Sequence, residues 1–309
     1  MNSTRRERDV SEQSFSTRLY KRSVREALAE AVTLLRSANV PSHALAAELL
    51  LMHVAGRDRT WIYAHPEALI DQAAAAKLTD LLARRIAGEP TQYLTGKQEF
   101  WGLEFEVTPA VLIPRPETEH VVEVTLERLG PTRRKSPLQI ADVGTGSGCI
   151  AVALARELSA AKICATDISA AALEVACRNA SRHGTKERVQ FIQCNLLDGI
   201  DPGAGPFDAI VSNPPYIGRG EAETLAREIR EHEPHEALFA GERGTEIYAP
   251  LIRQAEKLLA PEGVLVVELG FGAFEAVDKI VGASHAWTHV SVTPDLAGIP
   301  RVLAAERIS

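Results

Sequence analysis

No apolar run in this chain of 309 residues is long enough to cross a membrane, because the most apolar stretches are short and broken by Asp, Gly or Arg. Residues 1–22 hold six basic and three acidic residues and no central apolar segment, which excludes a secretory signal. Glu7, Asp9 and Glu12 argue against a transit peptide, so residues 1–22 are expected to be a flexible tail. Cysteine is scarce. Cys149, Cys164, Cys177 and Cys194 form no Cys-x-x-Cys pair, and they read as small buried side chains of a cytoplasmic protein. His232 and His235 flank Pro234 without a third ligand, so no metal is expected. The three tryptophans, Trp61, Trp101 and Trp287, read as packing residues rather than a base-stacking platform. A basic face is missing too: outside the tail, residues 23–95 are nearly neutral and the remainder is acidic, for a net charge of −7. Proteins that grip a phosphate backbone carry a basic surface, so direct nucleic-acid binding is not expected. Internal repeats and low-complexity segments are absent.

A 45% hydrophobic share supports a substantial core. Apolar spacing predicts helices over Ser23–Ala38, from Ser42 (as the cap) through Ala55, over Arg59–Ala64 and over Ile70–Ala87, so residues 23–90 form a small helical domain. Residues 91–112 read as a hairpin linker, from the alternation around Gly102. A helix follows to about Leu129, then a basic loop between Pro131 and Pro137. From Leu138 strands and helices alternate, ending in an antiparallel pair near His289–Thr293 and Val302–Glu306. Residues 113–309 are therefore expected to form a doubly wound, Rossmann-like α/β sheet with ligands at the carboxyl edge. Glu221–Glu236 holds six acids against two arginines and reads as a solvated helix face, the alternative being a lid that steers a basic partner.

Three strand ends carry the chemistry. Asp142-Val143-Gly144-Thr145-Gly146-Ser147-Gly148 turns from a strand into a helix, and its glycines let the backbone pass close beneath a ligand. The spacing is Gly-x-Gly-x-Gly rather than the dinucleotide fingerprint. Asp167 ends the next strand, where a carboxylate can accept both hydroxyls of a ribose. At the third end, Asn213-Pro214-Pro215-Tyr216 follows the apolar run Phe207–Ser212. Both residues before a proline are held extended and the prolines lack N–H groups, so this loop offers acceptors with few competing donors. Such a loop suits a planar NH2. Asn213 and the Pro214 carbonyl are the candidate acceptors for its two hydrogens, Pro215 completes the rigid loop, and Tyr216 is the candidate wall.

The combination of Asp142-x-Gly-x-Gly-x-Gly, Asp167 and Asn-Pro-Pro-Tyr resembles class I S-adenosylmethionine-dependent methyltransferases acting on amino nitrogens. Arg85-x-x-x-Glu89-Pro90, Tyr93-Leu94-x-Gly96, Leu112-Ile113-Pro114-Arg115-Pro116-Glu117-Thr118-Glu119 and Glu233-Pro234 narrow the resemblance to the release factor glutamine methyltransferases, the HemK/PrmC family. That resemblance implies a seven-stranded sheet and a helical domain that helps hold a class I peptide chain release factor. It also implies methylation of the side-chain amide nitrogen (N5) of that factor's Gly-Gly-Gln glutamine, by a monomer. The implied cofactor contacts are Asp142, Gly144, Thr145, Gly146, Ser147, Gly148, Asp167, Asn195, Leu196, Asn213 and Arg115, with Asn195 standing where the family commonly has an acid. The alternatives are an amino-methyltransferase acting on adenine or guanine and a non-catalytic protein of the translation machinery.

Overall fold

The computed structural model describes residues 21–133, 136–201 and 206–309, so nearly all of the expected tail and part of the basic loop lie outside the described residues. The chain divides into two compact units. One runs through Gly96 and also takes in Arg227–His232; the other comprises Lys97–Ala226 and Glu233–Ser309. Among the described residues no helix is long and apolar enough to cross a membrane.

The first unit is built from α1 (Val24–Ser37), α2 (His43–Ala55), α3 (Arg59–Ala64), α4 (Gln72–Ile86) and α5 (Thr91–Thr95). Ser23 and Glu26 form a reciprocal capping box at the start of α1. Asp58 and Asp71 cap α3 and α4. Ser42 does not cap α2: it sits at φ 48°, ψ 35° and makes no side-chain cap bond, whereas a capping hydroxyl needs an extended backbone to reach the free N–H groups. The stretch expected as a hairpin linker opens instead with the helical turn α5, which Gly96 ends at φ 72°. Ala27, Ala31, Leu35, Leu50, Leu51, Leu78 and Leu82 form the fully buried heart of this unit. The Arg227–His232 helix contributes Glu228, which accepts from Arg85 Nη2 at 2.5 Å; Arg85 is itself only 5% exposed and also donates to the Glu89 carbonyl at 3.1 Å.

The second unit begins with the hairpin β1 (Lys97–Phe100) and β2 (Leu103–Glu106), turned by Trp101 and Gly102, both at positive φ as a tight hairpin requires. Then come α6 (Glu119–Arg133, broken at Gly130), β3 (Gln139–Val143), α7 (Cys149–Glu157), β4 (Lys162–Asp167), α8 (Ala170–Arg182), β5 (Val189–Gln193) and β6 (Phe207–Ser212). The unit closes with α9 (Tyr248–Leu258), β7 (Leu259–Glu268), α10 (Phe274–Gly282), β8 (Trp287–Pro294) and β9 (Pro300–Arg307). The seven-stranded sheet has the order β5-β4-β3-β6-β7-β9-β8, with β9 antiparallel to both neighbours. This is the Rossmann-like sheet that the alternation predicts. Ile140, Val211, Val266 and Ala304 face a core shared with α6 and α7, while Ala141, Ile210, Val267 and Leu303 face a second core shared with α9 and α10. The chain winds outward from β3 to β5 and then returns to β6 on the other side of β3. A ligand crevice belongs at that reversal, outside the carboxyl ends.

Candidate active site

Strand register brings the predicted loops together. Val143 pairs with Thr166 on one side and Ser212 on the other, so Gly144, Asp167 and Asn213 each lie one residue beyond a paired position. Ser212 reinforces the register by donating its hydroxyl to the Val143 carbonyl at 2.7 Å. The N–H groups of Gly144 and Thr145 both donate to the Thr166 carbonyl at 2.9 Å, and the Gly146 N–H donates to Asp167 Oδ2 at 2.9 Å. Gly144, Gly146 and Gly148 all take positive φ. A Cβ on Gly148 would lie 3.0 Å from the Ala176 Cβ, so this glycine lets α7 and α8 approach closely.

Beneath the turn, Asp142 is fully buried. Its Oδ2 accepts the Thr145 hydroxyl at 2.6 Å and the Ala151 N–H at 3.1 Å, while its Oδ1 has no hydrogen-bond partner. Burial pushes its carboxyl up to about 7. Burial also raises Asp167, against the N–H bonds from Ser169 and Gly146 that hold its charged form.

A cavity of about 360 Å³ opens at this edge. Gly144, Thr145, Gly146 and Ser147 line one wall, Asp167 adjoins them, Asn195 and Leu196 line another, and Asn213 and Pro215 close a third. Asp198 is held away by Gln254 at 2.7 Å and does not line this cavity, which leaves Asn195 at the position in question. Asp142, Gly148, Pro214, Tyr216 and Arg115 do not line it. Arg115, expected at the cofactor, donates instead to Glu233 at 2.5 Å.

The upstream segment Leu112–Glu119 braces the Asn213–Tyr216 loop. Asn213 Nδ2 donates to Thr118 Oγ1 at 2.9 Å, and that hydroxyl donates to Glu268 Oε2 at 2.7 Å. The Tyr216 hydroxyl donates to the other Glu268 oxygen at 3.3 Å, so Tyr216 is turned toward Glu268, and its own ionisation is driven up by burial. Ile113 N–H and Arg115 both reach Glu233, which is buried. Glu119 accepts from the Trp101 N–H at 2.8 Å.

The acidic stretch is therefore not one solvated face. Glu233 is buried on Arg115, Glu228 is paired with buried Arg85, and Glu236 lines the cavity. The residues with no counterpart in the sequence reading are Glu268 and Asn179. Glu268 ends the apolar run Val264–Val267 at the carboxyl edge, and that placement was the available signal. Asn179 is fully buried on α8 and bonds the Ser147 carbonyl at 2.9 Å as well as both backbone groups of Glu106, tying the hairpin to the glycine turn.

The profile described as PrmC N-terminal domain matches residues 26–96, and that described as Methyltransferase small domain matches residues 123–242. A release factor glutamine methyltransferase of Koribacter versatilis is 44% identical over 284 residues, spanning 92% of this chain and 98% of that protein. The chain belongs to the release factor glutamine methyltransferase family. A second member, from Bradyrhizobium diazoefficiens, is 42% identical over 89% of this chain and 91% of its own length. Among solved structures, the hMettl16 catalytic domain in complex with a MAT2A 3′UTR hairpin superposes with a TM-score of 0.53 at 18% identity, covering 73% of this chain and 81% of that one. That likeness concerns the fold.

Proposed function

We propose that this protein transfers a methyl group from S-adenosylmethionine to the side-chain amide nitrogen (N5) of the glutamine in the Gly-Gly-Gln motif of class I peptide chain release factors. The observation that carries this reading is the orientation of Asn213. Because its Nδ2 is engaged by Thr118, the acceptor end of the amide remains for the substrate, on a strand end adjacent to the glycine turn.

The site fits the cofactor. The cavity is of ligand size, and its wall combines a backbone turn able to pass under a nucleoside with a carboxylate at the ribose position. Asp142, buried beneath the turn, accepts from Thr145 and Ala151 and so holds the turn in shape. Gly144–Ser147, Asp167, Asn195 and Leu196 would hold S-adenosylmethionine, which supplies a methyl group already activated on a sulfonium. An amide nitrogen is a weak nucleophile, so the chain's task is aim. Asn213 Oδ1 and the Pro214 carbonyl accept the two amide hydrogens, which fixes the NH2 and favours the positive charge that grows on nitrogen. The proton leaves after attack, so no general base is assigned. Tyr216, tethered to Glu268, anchors the loop rather than lining the cavity.

Around this site we read residues 23–90 as the part that helps hold the release factor, and the protein as a cytoplasmic monomer that binds no nucleic acid directly. Mass spectrometry of the release-factor Gly-Gly-Gln peptide, with and without this enzyme and the cofactor, tests the assignment. A mass increase of one methyl group on glutamine is expected. Methylation of DNA or RNA with an unmodified release factor would replace this reading by the amino-base one.

A further inference from the structure

Three groups stand in line from the cavity inward: Asn213, which lines it, then Thr118 and Glu268. The last two are each 1% exposed. We propose that Glu268 is a positioning residue that, through the Thr118 hydroxyl, decides which end of the Asn213 amide faces the cavity. The inference rests on the methyl-transfer reading, since the orientation matters for turnover only if Asn213 must act as an acceptor.

A hydroxyl has one hydrogen to give. With Glu268 ionised, its carboxylate can only accept, so Thr118 must donate to it, as it does at 2.7 Å. Thr118 can then only accept from Asn213, which presents Nδ2 at 2.9 Å and keeps Oδ1 for the substrate. Protonation of Glu268 on Oε2 makes it the donor. Thr118 then has its hydrogen free to donate toward Asn213, and the amide satisfies it by turning Oδ1 inward and Nδ2 outward. A donor then faces the substrate NH2, and methyl transfer stops. The line of hydrogen bonds thus has a polarity set at its buried end.

The surroundings make this reversal accessible. Burial pushes Glu268 up to about 7, opposed by the hydrogen bonds from Thr118 and Tyr216 and by the charge of Arg301 on β9, with Glu117 adding to the rise. Arg301 is itself shared with Asp295 at 2.9 Å. Tyr248 on α9 donates to the Glu268 backbone carbonyl at 3.1 Å, and so fixes the main chain without touching the carboxylate.

The test follows the Asn213 side-chain amide signals of the full chain by NMR from pH 6 to pH 8.5, alongside kcat for release-factor methylation. Wild type should show amide signals that shift with a midpoint near 7, and a kcat that falls as pH drops through it. Glu268→Gln should remove both the titration and the acid limb of kcat, and lower kcat by up to about 100-fold, as expected for a misaimed polar contact to a developing charge. Thr118→Val should do the same, and Thr118→Ser, which keeps the hydroxyl, should restore wild-type behaviour. If Glu268→Gln fails to fold, the Val and Ser pair decides. An acid limb or amide titration that survives in Glu268→Gln or Thr118→Val overturns the proposal. A titrating amide in an enzyme that leaves release factor unmethylated overturns the function instead, whereas methylation with an amide signal flat across the range overturns only the relay.

Discussion

Arg115 and Glu233 lie 118 residues apart in the chain and meet at 2.5 Å, with the glutamate side chain 1% exposed. This pair closes the Leu112–Glu119 segment onto the chain just before the single helical turn His235–Leu238. Removing the guanidinium takes the cation from a buried carboxylate that also accepts from the Ile113 N–H at 3.4 Å. Arg115→Met should destabilise the second unit by about 2–3 kcal/mol, below the full cost for a buried pair because the arginine is 29% exposed. Urea unfolding checks this, and an unchanged midpoint would show that the pair is not stabilising.

Asn213→Ala should lower kcat by about 100-fold or more while leaving the S-adenosylmethionine dissociation constant within a few-fold of wild type, because the role proposed for the residue is on the acceptor nitrogen. Calorimetry beside steady-state kinetics separates the two. Equal losses in both would assign Asn213 to folding.

Gly270 backs the Asn213–Tyr216 loop from the end of β7. A Cβ there would lie 2.9 Å from both Cβ and Cδ2 of Tyr216, closer than carbon atoms tolerate. Gly270→Ala should push the ring off its Glu268 tether, cost about 1–3 kcal/mol in thermal stability and raise KM for the release factor. Wild-type values for both would mean that the ring has room to move.

Stability should depend on pH in an unusual direction. Asp142 and Glu268 are each raised by burial to about 7, from ordinary carboxylate values near 4. The folded state therefore holds their protons more tightly than the unfolded chain. Their contribution is full below the unfolded value and is lost as pH rises through the folded one. Each group should remove up to about 1.4 kcal/mol of stability per pH unit within that window. The apoprotein should thus melt lower at pH 8 than at pH 6, and Asp142→Asn or Glu268→Gln should flatten the slope. A slope unchanged in both variants would contradict the assignment.

The strand ends were legible because glycine spacing and a double proline act locally. Gly144–Gly148 and Asn213–Pro215 need no distant partner to declare a turn and a rigid acceptor loop, and an alternating chain can place both only at the carboxyl edge. What the segment Leu112–Glu119 does was not legible. Thr118 acquires its role from Glu268, 150 residues on, and Arg115 from Glu233, so neither partner can be read from local pattern. Ser42 shows the converse error: the residue type fits a cap, but a backbone held at φ 48° cannot use it. The acids of Glu221–Glu236 looked alike in the sequence and differ only through the cations they meet, as Glu228 and Glu233 show.

Arg227–His232 joins the helical unit from more than a hundred residues downstream, and its Glu228 neutralises buried Arg85. The helical unit therefore cannot be excised with a single cut. A fragment ending at Gly96 would carry a buried guanidinium without the Glu228 carboxylate, held by the Glu89 carbonyl, and adding back a peptide spanning residues 227–232 is the natural complement. The chain therefore passes between the two units three times, after Gly96, before Arg227 and after His232.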